Sequence, residues 1–242
     1  MAAVGHLNYL QQMLAWDITF PLKIASRTVR DGSHGKAHHE WVKKIMRYLK
    51  TKTWSRYVIY AQPESELILS AYSDSDHIKA VEDRRSLSGH MIFLGKTVIS
   101  WGASFQTIAS HSSCESELMA LDTCVRKLQA IIWLVEALGC PKQPTVAVNV
   151  DCTSAITLAT NFIPTSRSSH IHMRFFYVRQ LHDELIIKLA HVSTKEQLAD
   201  LMVTFKDKQN FDHLMNISRG YNGRLVAKDE FPESWKERTS PY

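Results

Sequence analysis

Four acids stand where apolar stretches begin or end: Asp74, Glu117, Asp151 and Asp200. Asp74 and Asp76 lie two apart in ILSAYSDSD (68–76), so on a strand they share one face. Two acids so placed serve equally well as a solvated edge. Asp151 closes the β-branched run VAVNV (146–150), and in α/β sheets ligands bind outside the carboxyl ends of strands. Glu115 and Glu117 both open a long apolar-periodic stretch, and Ser112 to Glu115 reads S-x-x-E, a capping box that gives Glu115 a structural role. Glu117 sits about 200° further round the helix, just before the core residue Leu118, and is the one assigned to chemistry. Asp200 lies among Leu198, Ala199 and Leu201, either at the edge of a core face or recruited to a site. Clustered carboxylates repel unless a cation joins them, and hard oxygen ligands suit Mg²⁺ or Mn²⁺. Two such ions can activate a water and stabilise the leaving oxygen of a phosphodiester. That chemistry needs no nucleophilic side chain, and none stands out.

The elements that must position these acids can be read from periodicity. Strands are predicted at 68–76, 86–94 and 97–103, the last two forming a hairpin about Gly95-Lys96. TIASH (107–111) either extends the sheet or leads into the next helix. The strongest helix is 114–138, with Leu118, Leu121, Val125, Leu128, Ile132, Val135 and Leu138 three and four apart and Gly139 and Pro141 as stops. A strand at 146–151, helices at 153–160 and 167–183, a strand at 185–192 and a helix at 195–205 follow. The first strands should pair antiparallel and the later β-α-β units parallel, giving a mixed five-stranded sheet flanked by helices. Before it, 7–30 reads as helical with a break near Pro21, and 38–50 as an amphipathic helix. After about 208 periodicity fades, so an extension is expected.

With 242 residues, 45% hydrophobic, the chain can bury a sizeable core and suits one domain with additional material. No stretch approaches a membrane span, and the first ten residues show no secretion signal. Four cysteines without a C-x-x-C pair argue against thiolate metal sites and a disulfide framework. An intracellular setting, cytoplasm or nucleus, is the expectation. Residues 1–60 hold ten Lys/Arg against three acids, a charge of +7, whereas the rest holds 19 against 21, or −2. Such a basic flank fits a polyanionic partner, or is a solvated helix face. Twelve histidines invite zinc, but His170-x-His172 and His38-His39 lack a second ligand pair at finger spacing.

Six stretches together are recognisable: AYSDSD (71–76), EDRRSLSGHMIFLGKTVISW (82–101), SSCESELMAL (112–121), VDCTSAITLA (150–159), SSHIHMRFFYVRQ (168–180) and HVSTKEQLAD (191–200). In order and spacing they resemble the ribonuclease H domain of copia-type long-terminal-repeat retrotransposon polyproteins, over roughly 66–205. VGHLNYL (4–10) and MRYLK (46–50) resemble the end of that family's reverse transcriptase, whose polymerase aspartates lie upstream. The resemblance implies a ribonuclease H-like α/β fold in three parts: a helical remnant of the reverse transcriptase (1–62), the ribonuclease H-like domain (63–208) and a C-terminal tail (209–242). It implies Asp74, Glu117, Asp151 and Asp200 as catalytic residues and metal ligands. Asp74 would bridge two Mg²⁺ or Mn²⁺ ions, Glu117 and Asp151 would hold one, and Asp200 the other. The implied substrate is the RNA strand of an RNA–DNA hybrid, told apart by its 2′-hydroxyls. The upstream reverse transcriptase would be the partner. His191, at a strand end, is an auxiliary candidate for product release, or a structural histidine. Arg84, Arg85, Arg167, Arg174, Lys43, Lys44 and Arg47 are candidate nucleic-acid contacts, or solvated faces. Trp101, Phe175 and Phe176 read as core. The chain departs from the family where Val203-Thr204-Phe205 replaces Thr-Lys-Pro, His77 replaces a tryptophan, and Leu14-Ala15-Trp16-Asp17 replaces Thr-Arg-Pro-Asp. An inactive nucleic-acid-binding or connection remnant is the alternative reading. Another nuclease or an integrase on the same fold is a third.

Overall fold

Apolar and small residues alternate along β1 (Leu69–Asp76), turning Leu69 and Ala71 to one face of a sheet and Tyr72 to the other. β2 (Leu87–Leu94) and β3 (Thr97–Phe105) form the predicted hairpin, turning at Gly95, whose φ of 57° is the left-handed conformation glycine adopts without penalty. β1 pairs antiparallel with β2 and parallel with β4 (Val146–Val150), and β5 (Ile187–His191) runs parallel to β4. The order β3-β2-β1-β4-β5 is that of the ribonuclease H-like fold that the resemblance implies. The computed structural model describes residues 2–30, 35–51, 59, 63, 67–76, 85–140, 143–161 and 169–219, with backbone alone at 28–30, 37, 161 and 169–175.

One face carries α4 (Ser113–Ala137), α5 (Thr153–Asn161) and α6 (Ser169–Asp183). Leu118, Leu121, Val125, Leu128 and Ile132, on the predicted stripe of α4, pack with Ala71, Ile92 and Val148 of the sheet. The other face is covered by a 3-10 turn (Leu198–Met202), the helix Lys208–Ser218, and a second 3-10 turn (Trp16–Ile18) leading into α2 (Thr19–Arg30). α1 (Ala2–Met13) and α3 (Lys36–Thr51) pack on α2 through Leu7, Leu22, Ala25 and Ile45. Among the described residues, no helix is long and apolar enough to cross a membrane.

Four local readings differ. The break in the first helical stretch falls at 14–15, not at Pro21; Pro21 lies in the first turn of α2, where its missing N–H costs no helical bond. The stretch 195–205 holds a short 3-10 turn rather than an α-helix, because Leu198, Ala199, Asp200, Leu201 and Met202 are all buried and no face of an α-helix could remain solvated. TIASH does not extend the sheet and, as the second reading has it, leads into α4 through the N-cap Ser112. The tail expected from 209 instead begins as α7 (Lys208–Ser218), capped by the Asp207 side chain and held by Leu214 and Met215 in the second core. Phe176, expected in the core, is half exposed.

The N-terminal helices are built into this second core. Trp16 is 4% exposed, its ring 5.6 Å from Trp101. The Trp101 indole donates to the Gln11 carbonyl at 2.9 Å, and the Tyr48 hydroxyl donates to Asp17 at 2.7 Å. Trp16→Ala is expected to destabilise the chain by about 3–5 kcal/mol, the range for deleting a large buried aromatic. Denaturant unfolding in one cooperative step would read this. An unchanged midpoint would mean that the helices and sheet are separate units.

Candidate metal-binding site

The parallel register of β1 and β4 pairs Tyr72 with Asn149. Two residues further along each strand come Asp74 and Asp151, so the pairing itself brings two carboxylates level at the sheet's carboxyl-end rim. Glu117 is supplied by the first turns of α4. Ser112 accepts from the Glu115 amide at 3.1 Å, and Glu115 accepts from the His111 amide at 2.6 Å, so Glu115 is spent on the cap. Glu117, turned the other way, is buried and accepts from the Ser75 hydroxyl at 2.8 Å and the Ser75 amide at 3.3 Å. Asp74, Glu117 and Asp151 each bring an oxygen within 4.8 Å of the others.

Asp200 lies near Asp74, and its charge and hydrogen bonding both act on the Asp74 carboxyl. Its 3-10 turn is fixed to β1 by Gln197, which donates to the Ser73 carbonyl at 3.0 Å and accepts from the Ala199 amide at 3.3 Å. Close approach depends on Gly89, the antiparallel partner of Asp74. A β-carbon there would lie 2.6 Å from Val203 Cγ1 and 2.8 Å from Met202 Cβ. Lys206 Nζ lies 2.6 Å from Asp200 Oδ2, as an ion pair without hydrogen-bond geometry. It brings a lysine to the site one residue beyond the altered Val203-Thr204-Phe205. Asp151 accepts from the Thr194 hydroxyl at 3.2 Å. Sequence reading missed Ser75, Gly89, Gln197 and Lys206. Only Lys206 had a local signal, being the next cation after the replaced lysine.

Burial and mutual repulsion set the electrostatics. Burial, then the charges of Glu117, Asp200 and Asp151, push the Asp74 carboxyl well above its ordinary range. Burial pushes Glu117 up to about 8, against the opposing pull of Ser75. Glu117 Oε2 is buried without a hydrogen-bond partner. An unpartnered buried carboxylate oxygen in a group of three acids belongs to a hard-ligand set that fits a divalent cation.

The remaining candidates are spread more widely. His191 ends β5 beside Val150, the residue before Asp151, and is exposed. Arg85 is exposed just before β2. On α3, Lys43 and Arg47 approach Glu40 at 2.9 and 3.9 Å, and Lys44 lies over the Trp41 ring. Arg84, Arg167 and the side chain of Arg174 lie outside the described residues, as do His77 and the side chains of Phe175, His170 and His172.

No protein-family model matches the chain. It is 29% identical over 214 residues to the retrovirus-related Pol polyprotein from transposon TNT 1-94 of Nicotiana tabacum, covering 87% of this chain and 15% of that protein. It is 28% identical over 219 residues to the corresponding polyprotein from transposon RE1 of Arabidopsis thaliana, covering 89% and 15%. A Plasmopara viticola protein named secreted RxLR effector protein 161 is 31% identical over 135 residues, covering 55% of this chain and 89% of that protein. The chain thus spans about 15% of the length of the two polyproteins. Among solved structures, a ribonuclease H1 isolated from compost matches at 15% identity and a TM-score of 0.43, covering 60% of this chain and 96% of that one. The protease-reverse transcriptase of prototype foamy virus matches at 15% and 0.41, covering 69% and 22%.

Two outcomes follow from the geometry. Gly89→Ala should cost about 1–3 kcal/mol, as overpacking does, and should drive Asp200 away from Asp74. Its melting temperature should fall and its gain from added Mn²⁺ should shrink, whereas an unchanged gain would show that Asp200 takes no part in metal binding. The second outcome concerns pH. A carboxyl raised from 4.5 to about 8 keeps its proton in the folded chain after the unfolded chain has lost it. Its contribution is therefore full below pH 4.5 and lost as pH rises through 8. Buried His90, lowered from 6.5 to about 3, acts oppositely, costing stability as pH falls below 6.5. Metal-free stability should thus decline between pH 6.5 and 8, and Glu117→Gln should flatten that decline. A decline of equal slope in the variant would remove Glu117 as its source.

Proposed function

We propose, from the similarity of the chain to the retrovirus-related Pol polyproteins of transposons, that it hydrolyses the RNA strand of RNA–DNA hybrids internally, in a metal-dependent manner. The observation that carries this reading is the gathering of Asp74, Glu117 and Asp151 within 4.8 Å on a ribonuclease H-like sheet. The unit responsible is residues 63–208 with α7 added. The preceding helices represent the end of the reverse transcriptase, whose upstream part is the natural partner.

In this proposal Asp74, Glu117, Asp151 and Asp200 hold Mg²⁺ or Mn²⁺, two ions in all. When bound, such ions lower the pKa of water and polarise the phosphoryl oxygens. The chain's own residues do the positioning. Ser75 fixes one Glu117 oxygen and leaves Oε2 without a partner. Thr194 orients Asp151, and Gln197 holds the turn that presents Asp200. His191 at the rim is placed to aid proton transfer or product departure. Lys43, Lys44 and Arg47 of α3, with Arg84, Arg85, Arg167 and Arg174, would meet backbone phosphates, and 2′-hydroxyl contacts would select the RNA strand.

With Mn²⁺ or Mg²⁺, purified chain should cut the RNA strand of a labelled hybrid and spare both strands of duplex DNA. Asp74→Asn and Asp151→Asn should each lower the rate at least roughly 100-fold, beyond the 10–100-fold typical of outer-shell changes, with hybrid still bound. A chain that binds hybrid without cutting it sinks the hydrolase reading.

One contact favours the inactive alternative, the Lys206 ammonium already on Asp200. If that contact silences the site, Lys206→Met should raise both metal binding and cleavage; otherwise it should leave cleavage equal or lower.

A further inference from the structure

A cleft of about 360 Å³ opens between α3 and the segment after the 3-10 turn Leu198–Met202. Its walls are aromatic. Trp41 and Phe205 stack with centroids 5.4 Å apart and planes 15° apart, and Phe20 meets Phe205 edge to face at 4.6 Å. Burial of an aromatic cluster would ordinarily hide all three rings. Phe20 is buried, but Trp41 is 39% and Phe205 55% exposed. Two large apolar rings left partly at the surface forgo burial of their apolar area, which a ligand seated on the pair would recover.

Charge identifies the class of ligand. Lys44, Lys206 and Lys208 line the cleft, with Lys44 Nζ 5.2 Å from the Trp41 ring centroid. Asp17, the acid in the lining, is engaged by the Tyr48 hydroxyl at 2.7 Å and approached by Arg219 at 4.0 Å. Exposed π-faces beside cations suit a planar base joined to a phosphate. Bases within a duplex already stack on one another, whereas an unpaired base gains a stacking partner. The volume lies at the lower end of the roughly 300–1,000 Å³ of small-molecule sites, room for one such unit. Location points the same way, since Lys206 lines the cleft and sets its ammonium on Asp200. One side chain therefore joins the cleft to the carboxylate site.

We propose that this cleft binds one unpaired nucleotide of a single-stranded extension continuing from the nucleic acid at the carboxylate site. The inference rests on the hybrid-hydrolysis reading for the identity of that nucleic acid, but stacking and hydrolysis are measured separately.

The test compares binding of the full chain, in chelator to prevent cleavage, to a blunt RNA–DNA hybrid and to the same hybrid with a short single-stranded extension on either strand. One of the extensions should tighten binding roughly tenfold, the scale of a single base–aromatic stack. Phe205→Leu and Trp41→Leu, apolar replacements that remove the rings at exposed positions, should abolish most of that gain and leave blunt-hybrid binding unchanged. Phe205→Tyr should keep it. Equal affinity for blunt and extended hybrids overturns the proposal, as does a gain that survives both leucine variants. Self-association that Phe205→Leu removes, with no preference for extensions, overturns it too, by making a second copy the occupant. Cleavage of the blunt hybrid with Mn²⁺, run in parallel, separates the two readings. Cleavage without an extension gain defeats the cleft alone, and an extension gain without cleavage defeats the hydrolase reading alone.

Discussion

Mutual repulsion among buried carboxylates governs this structure. At 4.8 Å two full negative charges repel by about 3–4 kcal/mol at an effective dielectric near 20. Three such pairs reach about 10 kcal/mol, comparable with the net stability of about 5–15 kcal/mol available to a whole domain. The group cannot hold its full charge without a counter-charge: burial first, and then this repulsion, shifts Asp74 and Glu117 toward their protonated forms. Among the described residues no lysine or arginine pairs with Asp74, Glu117 or Asp151. A fold that gathers such a group has accepted an electrostatic cost, and a cation is the economical way to recover it.

Much of the surrounding architecture holds the acids against that repulsion. The β1–β4 register makes Asp74 and Asp151 neighbours whether or not they repel. Ser75 ties Glu117 down through both its amide and its hydroxyl. Gln197 anchors the Asp200 turn to β1, while the missing side chain at Gly89 lets Met202 and Val203 come against β2. Behind that turn, Trp16, Phe20, Leu214 and Met215 close the second core. The N-terminal helices and α7 thus reach the chemistry indirectly, by pressing the element that carries Asp200 onto the sheet.

What was legible in the sequence follows local rules. The strands were visible because period-2 alternation and a glycine turn are local signals, and α4 because its stripe runs seven residues deep. Glu117 was separable from Glu115 because a capping box is a four-residue pattern. The gathering of three acids was legible only as far as strand ends imply proximity, and the family resemblance supplied the grouping. Gly89 facing Val203 and Gln197 bonded to Ser73 span more than a hundred residues, and no local period encodes such pairs. The 3-10 turn at Leu198–Met202 was misjudged because five consecutive buried residues mimic a helix when counted but need a tighter turn to hide together. α7 was overlooked because its buried residues serve a core made largely by other segments.

The contact between Lys206 and Asp200 shows why the fourth acid differs from the other three. An ammonium on a flexible four-carbon stem is a mobile point charge, and this one has a side chain 20% exposed against 8% for Asp200. Lys206 therefore neutralises Asp200 without being locked into the core. Because it also lines the aromatic cleft, a phosphate arriving there competes directly with Asp200 for the same ammonium. Drawing Lys206 toward that phosphate would strip Asp200 of its counter-charge and raise its attraction for a divalent ion. An arginine could not make the exchange as freely, since its planar fork favours a fixed bidentate pair. The lysine thus links the counter-charge of the fourth acid to the neighbouring cleft.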